Sequence, residues 1–315
     1  MIVANEVTMK FQALGKEPFI ALNKLTCEIP RGCIYGMIGA NGAGKSTFLR
    51  LLAGVYRPCE GTITVDDMPV WENPAAKSRI VYIPDDLYFL PQSSMNSMAR
   101  LYRALYPQFD FDRFHKLTDT FQLDPTANIN TFSKGMRRQA AAILGLSAMP
   151  DYLFFDETFD GLDPVMRGLV KQVIYRDVIE RNTTTIITSH SLHELEDTCD
   201  QLALLHRGGI LFQSDVQDLK TSLFKVQTAF AAPFTRERFE GFDILSYTQM
   251  GSVCTFIVRG DKGATEARIR AMSPLLLDIL PLSLEEVFIY EMELLGYSFK
   301  EILMYGGHGN EEQNV

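Results

Sequence analysis

The chain has 315 residues, of which 46% are hydrophobic and 22% charged. That composition excludes intrinsic disorder of the whole chain, and at about 150 residues per domain it allows about two domains whose cores need no disulfide or metal staple. With 30 basic against 39 acidic residues the formal net charge is −9, which fits poorly with wrapping DNA or RNA, so no nucleic-acid partner is expected.

The longest apolar window, residues 140–149, is too short to cross a bilayer, and the opening MIVANEVTMKF lacks the basic and apolar regions of a secretory signal. Neither a membrane span nor an export signal is therefore expected. The five cysteines, Cys27, Cys33, Cys59, Cys199 and Cys254, are scattered and form no CxxC. They read as small buried hydrophobes in a reducing compartment.

In chain order, strands are expected over 2–9 and 25–29, with a turn at Pro30-Arg31-Gly32. The apolar run 33–38 ends in a Gly-rich loop, and a helix pattern over 45–52 is stopped by Gly54. Further strands are expected at 62–65 and 79–83. Met95, Met98, Leu101, Leu105, Phe111, Phe114, Leu117 and Phe121 are spaced for amphipathic helices. A buried helix over 135–149 stops at Pro150, which makes about 94–150 a helical subdomain inserted into an α/β core. Residues 152–155 read as a buried parallel strand, 165–181 as a helix, 183–188 as a β-branched strand and 201–212 as a hairpin around Arg207-Gly208-Gly209. Strands alternating with helices predict α/β architecture with crossover connections over 1–218. From about 219 the pattern changes. Strands at 223–231 and 252–258, a helix at 264–272 and a capping box, Ser283-Leu284-Glu285-Glu286, opening a helix through Met292 suggest a small α+β accessory domain over 219–300. From residue 221 on there are 8 basic and 13 acidic residues, so this part is acidic too. Residues 306–315 are polar and Gly-rich, and 301–315 is expected to be a disordered tail.

Gly39-Ala40-Asn41-Gly42-Ala43-Gly44-Lys45-Ser46 fits G-x-x-x-x-G-K-[ST] and sits between an apolar strand and a helix, with Thr47 next in line. The glycines let backbone N–H groups approach phosphate oxygens, and the helix offers its N-terminus to the anion. Lys45 would reach the β- and γ-phosphates and the Ser46 hydroxyl would ligate Mg²⁺. A plain Gly-rich turn does not require Lys and Ser at those two places. Farther on, Tyr152-Leu153-Phe154-Phe155-Asp156-Glu157 puts two carboxylates at the C-terminal end of a strand, where open α/β sheets bind ligands. An isolated Asp-Glu pair is usually two surface acids. Behind a buried strand and downstream of a complete phosphate loop, Asp156 reads as a Mg²⁺ ligand and Glu157 as the base that polarises the attacking water.

This ordered set resembles the nucleotide-binding subunit of an ABC transporter, a P-loop ATPase core with an inserted helical subdomain, and the resemblance covers about residues 1–215. It implies ATP and Mg²⁺ as ligands and ATP hydrolysis as the activity. It also implies a transmembrane permease and a second cassette, a copy or a paralogue, as partners, with the chain held peripherally at the cytoplasmic face. In the family an LSGGQ-like signature acts on the partner's nucleotide; here Phe132-Ser133-Lys134-Gly135-Met136 stands in its place, matching at Ser133 and Gly135 and departing at Lys134 and Met136. His190, after the 183–188 strand, matches the switch histidine. Gly161-Leu162-Asp163 matches the loop through which two cassettes communicate, although Thr158 stands where Pro is usual. Phe11, 28 residues before Gly39, matches the aromatic that stacks on adenine, and a core-packing role competes with that reading. The family's coupling Gln is missing after Val81-Tyr82-Ile83-Pro84; Asp85 stands there and becomes a candidate metal ligand. The region through Leu282-Ser283-Leu284-Glu285-Glu286-Val287-Phe288 is similar to that of ATPases serving bacterial peptide or bacitracin-type antibiotic exporters. The rival expectations are a soluble ABC ATPase of translation or DNA repair, and a catalytically silent regulatory cassette.

Overall fold

The structure, a computed structural model, describes residues 1–12, 17–157, 159, 162–294 and 297. The expected tail, together with Thr158 and Gly161, lies outside the described residues. Two compact units are present, one running from Met1 to Gln213 and one beginning at Ser214.

The first unit contains, in order, β1 (Ile2–Phe11), β2 (Phe19–Ile29), β3 (Ile34–Ile38), α1 (Lys45–Leu52), β4 (Glu60–Val65), β5 (Met68–Pro69), α2 (Pro74–Lys77), β6 (Ile80–Ile83), α3 (Met95–Leu105), α4 (Phe111–Thr120), α5 (Lys134–Ser147), β7 (Tyr152–Asp156), α6 (Pro164–Arg181), β8 (Thr184–Ser189), α7 (Leu192–Glu196), β9 (Gln201–His206) and β10 (Gly209–Asp215). Its central sheet has the order β10-β9-β3-β8-β7-β6. The five strands from β9 to β6 are parallel. Every residue of β3, β7 and β8 is buried, which explains why these strands read as continuous apolar or β-branched runs rather than alternating ones. The two-residue link Arg207-Gly208, both at positive φ (47° and 79°), turns β9 back into β10 as a tight hairpin.

The second sheet, β2-β1-β4-β5, is antiparallel. Here β2 starts at Phe19, six residues earlier than the apolar pattern indicated. Register shifts along β1 and positive φ at Glu6 and Lys24 break the period-two alternation that marks a strand in sequence. The core of this unit joins both sheets to α1 through Leu22 and Val65 of the antiparallel sheet, Tyr35, Phe154 and Ile186 of the central sheet, and Phe48 and Leu52 of α1.

The segment between β6 and β7 is helical, and each helix is opened by a side-chain cap. Ser94 caps α3 reciprocally with Ser97, Asp110 accepts from the Arg113 N–H, and Ser133 caps α5. Arg113 on α4 makes a two-pronged ion pair (2.8 and 2.6 Å) with the buried carboxylate of Asp177 on α6, tying the helical segment to the core.

The second unit holds α8 (Val216–Ser222), β11 (Leu223–Ala229), β12 (Asp243–Met250), β13 (Val253–Arg259), α9 (Lys262–Arg270), β14 (Leu276–Pro281) and α10 (Leu284–Leu294). Its antiparallel sheet runs β12-β13-β11-β14 over a core of Phe224, Val226, Phe230, Phe239 and Phe256. The sequence pattern did not disclose β12 and β14. Both are edge strands with largely exposed or half-buried residues, so neither carries a clean apolar face. The capping box at α10 forms as expected: Ser283 N–H donates to the Glu286 carboxylate at 2.9 Å and Glu286 N–H donates to the Ser283 hydroxyl at 3.2 Å.

Four cysteines are buried, and burial pushes the thiols of Cys27 and Cys33 up to about 12. Cys59 corrects the expectation of five buried hydrophobes. It is exposed because it lies in the turn between α1 and β4, where its N–H bonds to the Thr8 carbonyl.

Candidate active site

The parallel register decides what meets what. Ile38, the last residue of β3, lies beside Ser189, the last of β8, and Asp156, the last of β7, lies beside Thr188. Three loops therefore leave one sheet edge together: the phosphate loop, the segment after the acidic pair and the turn holding His190. That edge is the C-terminal one, where doubly wound sheets bind ligands.

The loop from β3 to α1 is tight. A Cβ on Gly39 would lie 2.4 Å from the Leu205 carbonyl oxygen, and one on Gly44 would lie 2.7 Å from that of Ala21, with φ at 112°. Neither position tolerates a side chain. Gly44 is also the N-cap of α1 and supplies no side-chain acceptor. The first-turn N–H groups of α1 thus remain for an acceptor from outside the helix, which is the chemistry of phosphate binding.

Lys45 is 4% exposed. Its ammonium donates to the carbonyls of Gly39 (2.7 Å) and Ala40 (3.3 Å) and forms an ion pair with the Glu157 carboxylate at 3.1 Å. Asp156 is 1% exposed and accepts three hydroxyl bonds, from Ser46 (2.9 Å), Thr188 (3.0 Å) and Tyr82 (2.9 Å). Burial, and then the Asp156 charge, push the Tyr82 phenol well above its ordinary value, so it stays a donor. Glu157 sits at φ 50°, an uncommon conformation for a residue with a side chain, and its N–H is held by Thr188 Oγ1 at 3.1 Å. A single hydroxyl, that of Thr188, thereby orients both acids.

Lys45, Ser46, Asp156 and Glu157 therefore form one cluster. The Ser46 hydroxyl and the Asp156 carboxylate are adjacent hard oxygen donors, the kind of set that suits Mg²⁺ with a bound polyphosphate. His190 is exposed directly after β8, on the same sheet edge. Ser133 is exposed and its hydroxyl accepts the Met136 N–H at 3.2 Å, with Gly135 half-buried in the first turn of α5. Asp163 caps α6 by accepting from the Val165 and Met166 N–H groups, both at 3.1 Å. Phe11 is half-buried at the end of β1, edge-on to Tyr56 with centroids 5.6 Å apart, and packs against the core of the unit. Asp85 departs from expectation. Its carboxylate is paired with Arg138 on α5 at 2.7 Å, in a cleft of about 360 Å³ lined also by Asp86, Leu87, Lys134 and Arg137. In place of a metal, the structure gives that carboxylate an arginine, with Lys134 and Arg137 also lining the cleft. Sequence reasoning missed Tyr82 and Thr188; their positions at strand ends next to Asp156 become functional only through the register.

Residues 22–160 match the family model described as ABC transporter. The chain is 30% identical over 271 residues to the ABC transporter ATP-binding protein YtrB of Bacillus subtilis (strain 168), covering 85% of this chain and 91% of that protein. It is 31% identical over 210 residues to the daunorubicin/doxorubicin resistance ATP-binding protein DrrA of Streptomyces peucetius, covering 64% and 63% respectively. Among solved structures, an ATP-binding subunit of an ABC transporter superposes with a TM-score of 0.63 at 22% identity, over 70% of this chain and 92% of that one, a likeness of fold. A phosphate loop, an acidic pair and a histidine turn on one sheet edge, in a chain that aligns with nearly the whole of YtrB, mean that this chain belongs to the ABC transporter ATP-binding proteins and is an ATPase of that family.

Proposed function

We propose that the chain powers export, of peptides or antibiotics, through a separate membrane permease by ATP-driven pairing of two cassettes. The observation that carries this reading is the cluster of Lys45, Ser46, Asp156 and Glu157. Lys45 and the backbone of residues 39–47, from Gly39, Ala40, Asn41, Gly42, Ala43 and Gly44 through Thr47, hold the phosphates. Ser46 and Asp156 would hold Mg²⁺. The ion would supply positive charge to offset that of the phosphates. A polyphosphate competes with Glu157 for the Lys45 ammonium, which releases the carboxylate to act as a base. Glu157 takes a proton from water as the water oxygen bonds to the γ-phosphorus and the bond to the β-phosphate bridging oxygen breaks. His190 contacts the γ-phosphate. Phe11 stacks on adenine. Ser133, Gly135 and Met136 present the start of α5 to the nucleotide of the partner cassette, and Asp163 belongs to the loop between the two.

Asp85 is not included in the metal set because Arg138 holds it. Among the described residues no helix is long and apolar enough to cross a membrane; in this reading the permease is a separate chain and the cassette sits at the cytoplasmic membrane face. DrrA is named for drug resistance, which supports export as the direction. The domain division at about 218 remains part of this proposal, the second unit being an accessory domain.

Purification of the chain from its own cells in mild detergent, with mass spectrometry of what accompanies it, tests the reading. A polytopic membrane protein in near-stoichiometric amount is expected. Ribosomal or DNA-repair proteins without a membrane partner would overturn it in favour of a soluble ATPase.

A further inference from the structure

Glu194 lies on α7, four residues after His190, and its carboxylate is shared between two elements. One oxygen accepts the Ser189 hydroxyl at 2.9 Å, and the other forms an ion pair with Arg167 at 3.0 Å. Ser189 is buried, and its hydroxyl oxygen also accepts the N–H of Ser191 at 2.9 Å. His190 is thus the middle residue of a small hydrogen-bonded turn whose hydroxyl is aimed by Glu194. Arg167 stands in the first turn of α6, where its second guanidinium nitrogen donates to the carbonyl of Leu162 at 3.4 Å and its N–H bonds to the carbonyl of Asp163 at 2.9 Å. Lys171 and Thr198 fasten the Glu194 backbone by donating to its carbonyl at 3.4 and 3.2 Å.

We propose that Glu194 and Arg167 are positioning residues that fix the turn carrying His190 to the segment at 162–163. This rests on the reading of Glu157 and His190 given above. A displacement at 162–163 moves the Arg167 guanidinium, which drags the Glu194 carboxylate and with it the hydroxyl that shapes the histidine turn. Both side chains are mostly shielded, 26% and 16% exposed, so solvent weakens the pair less than it would a surface ion pair. The linkage runs through polar bonds from the first turn of α6 to α7 and on to the end of β8.

The full-length chain serves for the test, with single-turnover ATP hydrolysis at saturating Mg-ATP, ATP affinity by direct titration, and thermal unfolding measured side by side. Glu194→Ala and Arg167→Ala should each slow hydrolysis by about tenfold or more while ATP affinity stays within about twofold, because misplacement costs rate rather than binding. The double variant should be no slower than the slower single one, since the two residues act as a pair. Glu194→Gln, which can still accept the Ser189 hydroxyl but has lost the charge, should fall in between, and it replaces the alanine variant if that one fails to fold. Wild-type rates in both single variants, additive losses in the double, or an affinity that falls in step with the rate would overturn the proposal. Glu157→Gln, tested in parallel, separates two failures. If it stops hydrolysis while Glu194→Ala does not slow it, only the positioning role falls; if Glu157→Gln hydrolyses at the wild-type rate, the active-site reading and the positioning role fall together.

Discussion

The two ends of β7 carry nearly the same chemistry and put it to different use. At the start, Tyr152 donates its hydroxyl to Asp66 at 2.7 Å, and Asp66 also binds Arg79 at 2.6 Å and the Met1 ammonium at 2.5 Å. Arg79 turns its other edge to Asp151 at 2.5 Å. At the finish, Tyr82 donates to Asp156, and Lys45 pairs with Glu157. Each end has a tyrosine and two acids, met by Arg79 and the Met1 ammonium at the start and by Lys45 at the finish. At the start every charge is answered by planar or fixed partners, so the cluster is complete in itself. At the finish the cation is a lysine on a helix whose first N–H groups have no cap, and the acids sit on a strand end rather than in a closed ring. Strand direction makes the difference: parallel strands send their loops and helix N-termini to the C-terminal edge, so positive backbone ends accumulate there and draw an anion.

Removing the acid that matters most should therefore affect the two ends in opposite currencies. Glu157→Gln should lower the ATP turnover by about 10²–10⁴ while ATP binding persists, as for loss of a general base; unchanged turnover would leave the cassette catalytically silent. Lys45→Ala should weaken ATP binding by roughly tenfold to a hundredfold, the loss of charge-assisted bonds to phosphate. Titration calorimetry reads that directly, and an unchanged affinity would remove Lys45 from the phosphate site.

At the opposite end the loss should appear in stability alone. Arg79→Ala should cost about 1–3 kcal/mol in chemical denaturation by leaving Asp66 and Asp151 short of a cation, with ATP affinity unaltered. A pH titration of stability sharpens this. Burial alone would raise the Asp66 carboxyl, but hydrogen bonds from the Met1 ammonium, Tyr152 and Arg79 more than reverse that and hold it at about 2, below its ordinary 3.8. The stabilisation is therefore present in full above about pH 4 and is lost as pH falls through about 2, at most roughly 2 kcal/mol. Asp66→Asn should flatten that part of the acid limb. The smallest contrast lies between the two tyrosines. Tyr152→Phe should cost about 0.5–1.5 kcal/mol and leave hydrolysis alone, whereas Tyr82→Phe, at similar cost, should also slow hydrolysis by releasing one side of Asp156. Equal behaviour of the two would mean that Asp156 does not depend on Tyr82 for its aim.

Much of this site could be read from residue order. The phosphate loop is legible because its glycines, Lys45 and Ser46 are required within eight consecutive positions, and the acidic pair because a buried parallel strand must be an apolar run. The capping box at Ser283 and Glu286 was legible for a similar reason, as helix starts select short polar side chains. Asp85 shows the limit. Its place after Ile83-Pro84 suggested a metal, but Arg138, on α5 and 53 residues later, claims the carboxylate. Edge strands β12 and β14 escaped because an edge strand need not bury either face.

By itself, then, the sequence determined the α/β core, the phosphate loop, the acids after β7 and the capping box at Ser283, since each is marked by a pattern within a few residues along the chain. Only the tertiary structure decided that Tyr82 and Thr188 orient Asp156, that Lys45 rests against Glu157, and that Glu194 joins Arg167 to the turn of His190. Those contacts span strands and helices distant in the chain, and a hydrogen bond between them exists only once parallel register has brought the loops to one edge.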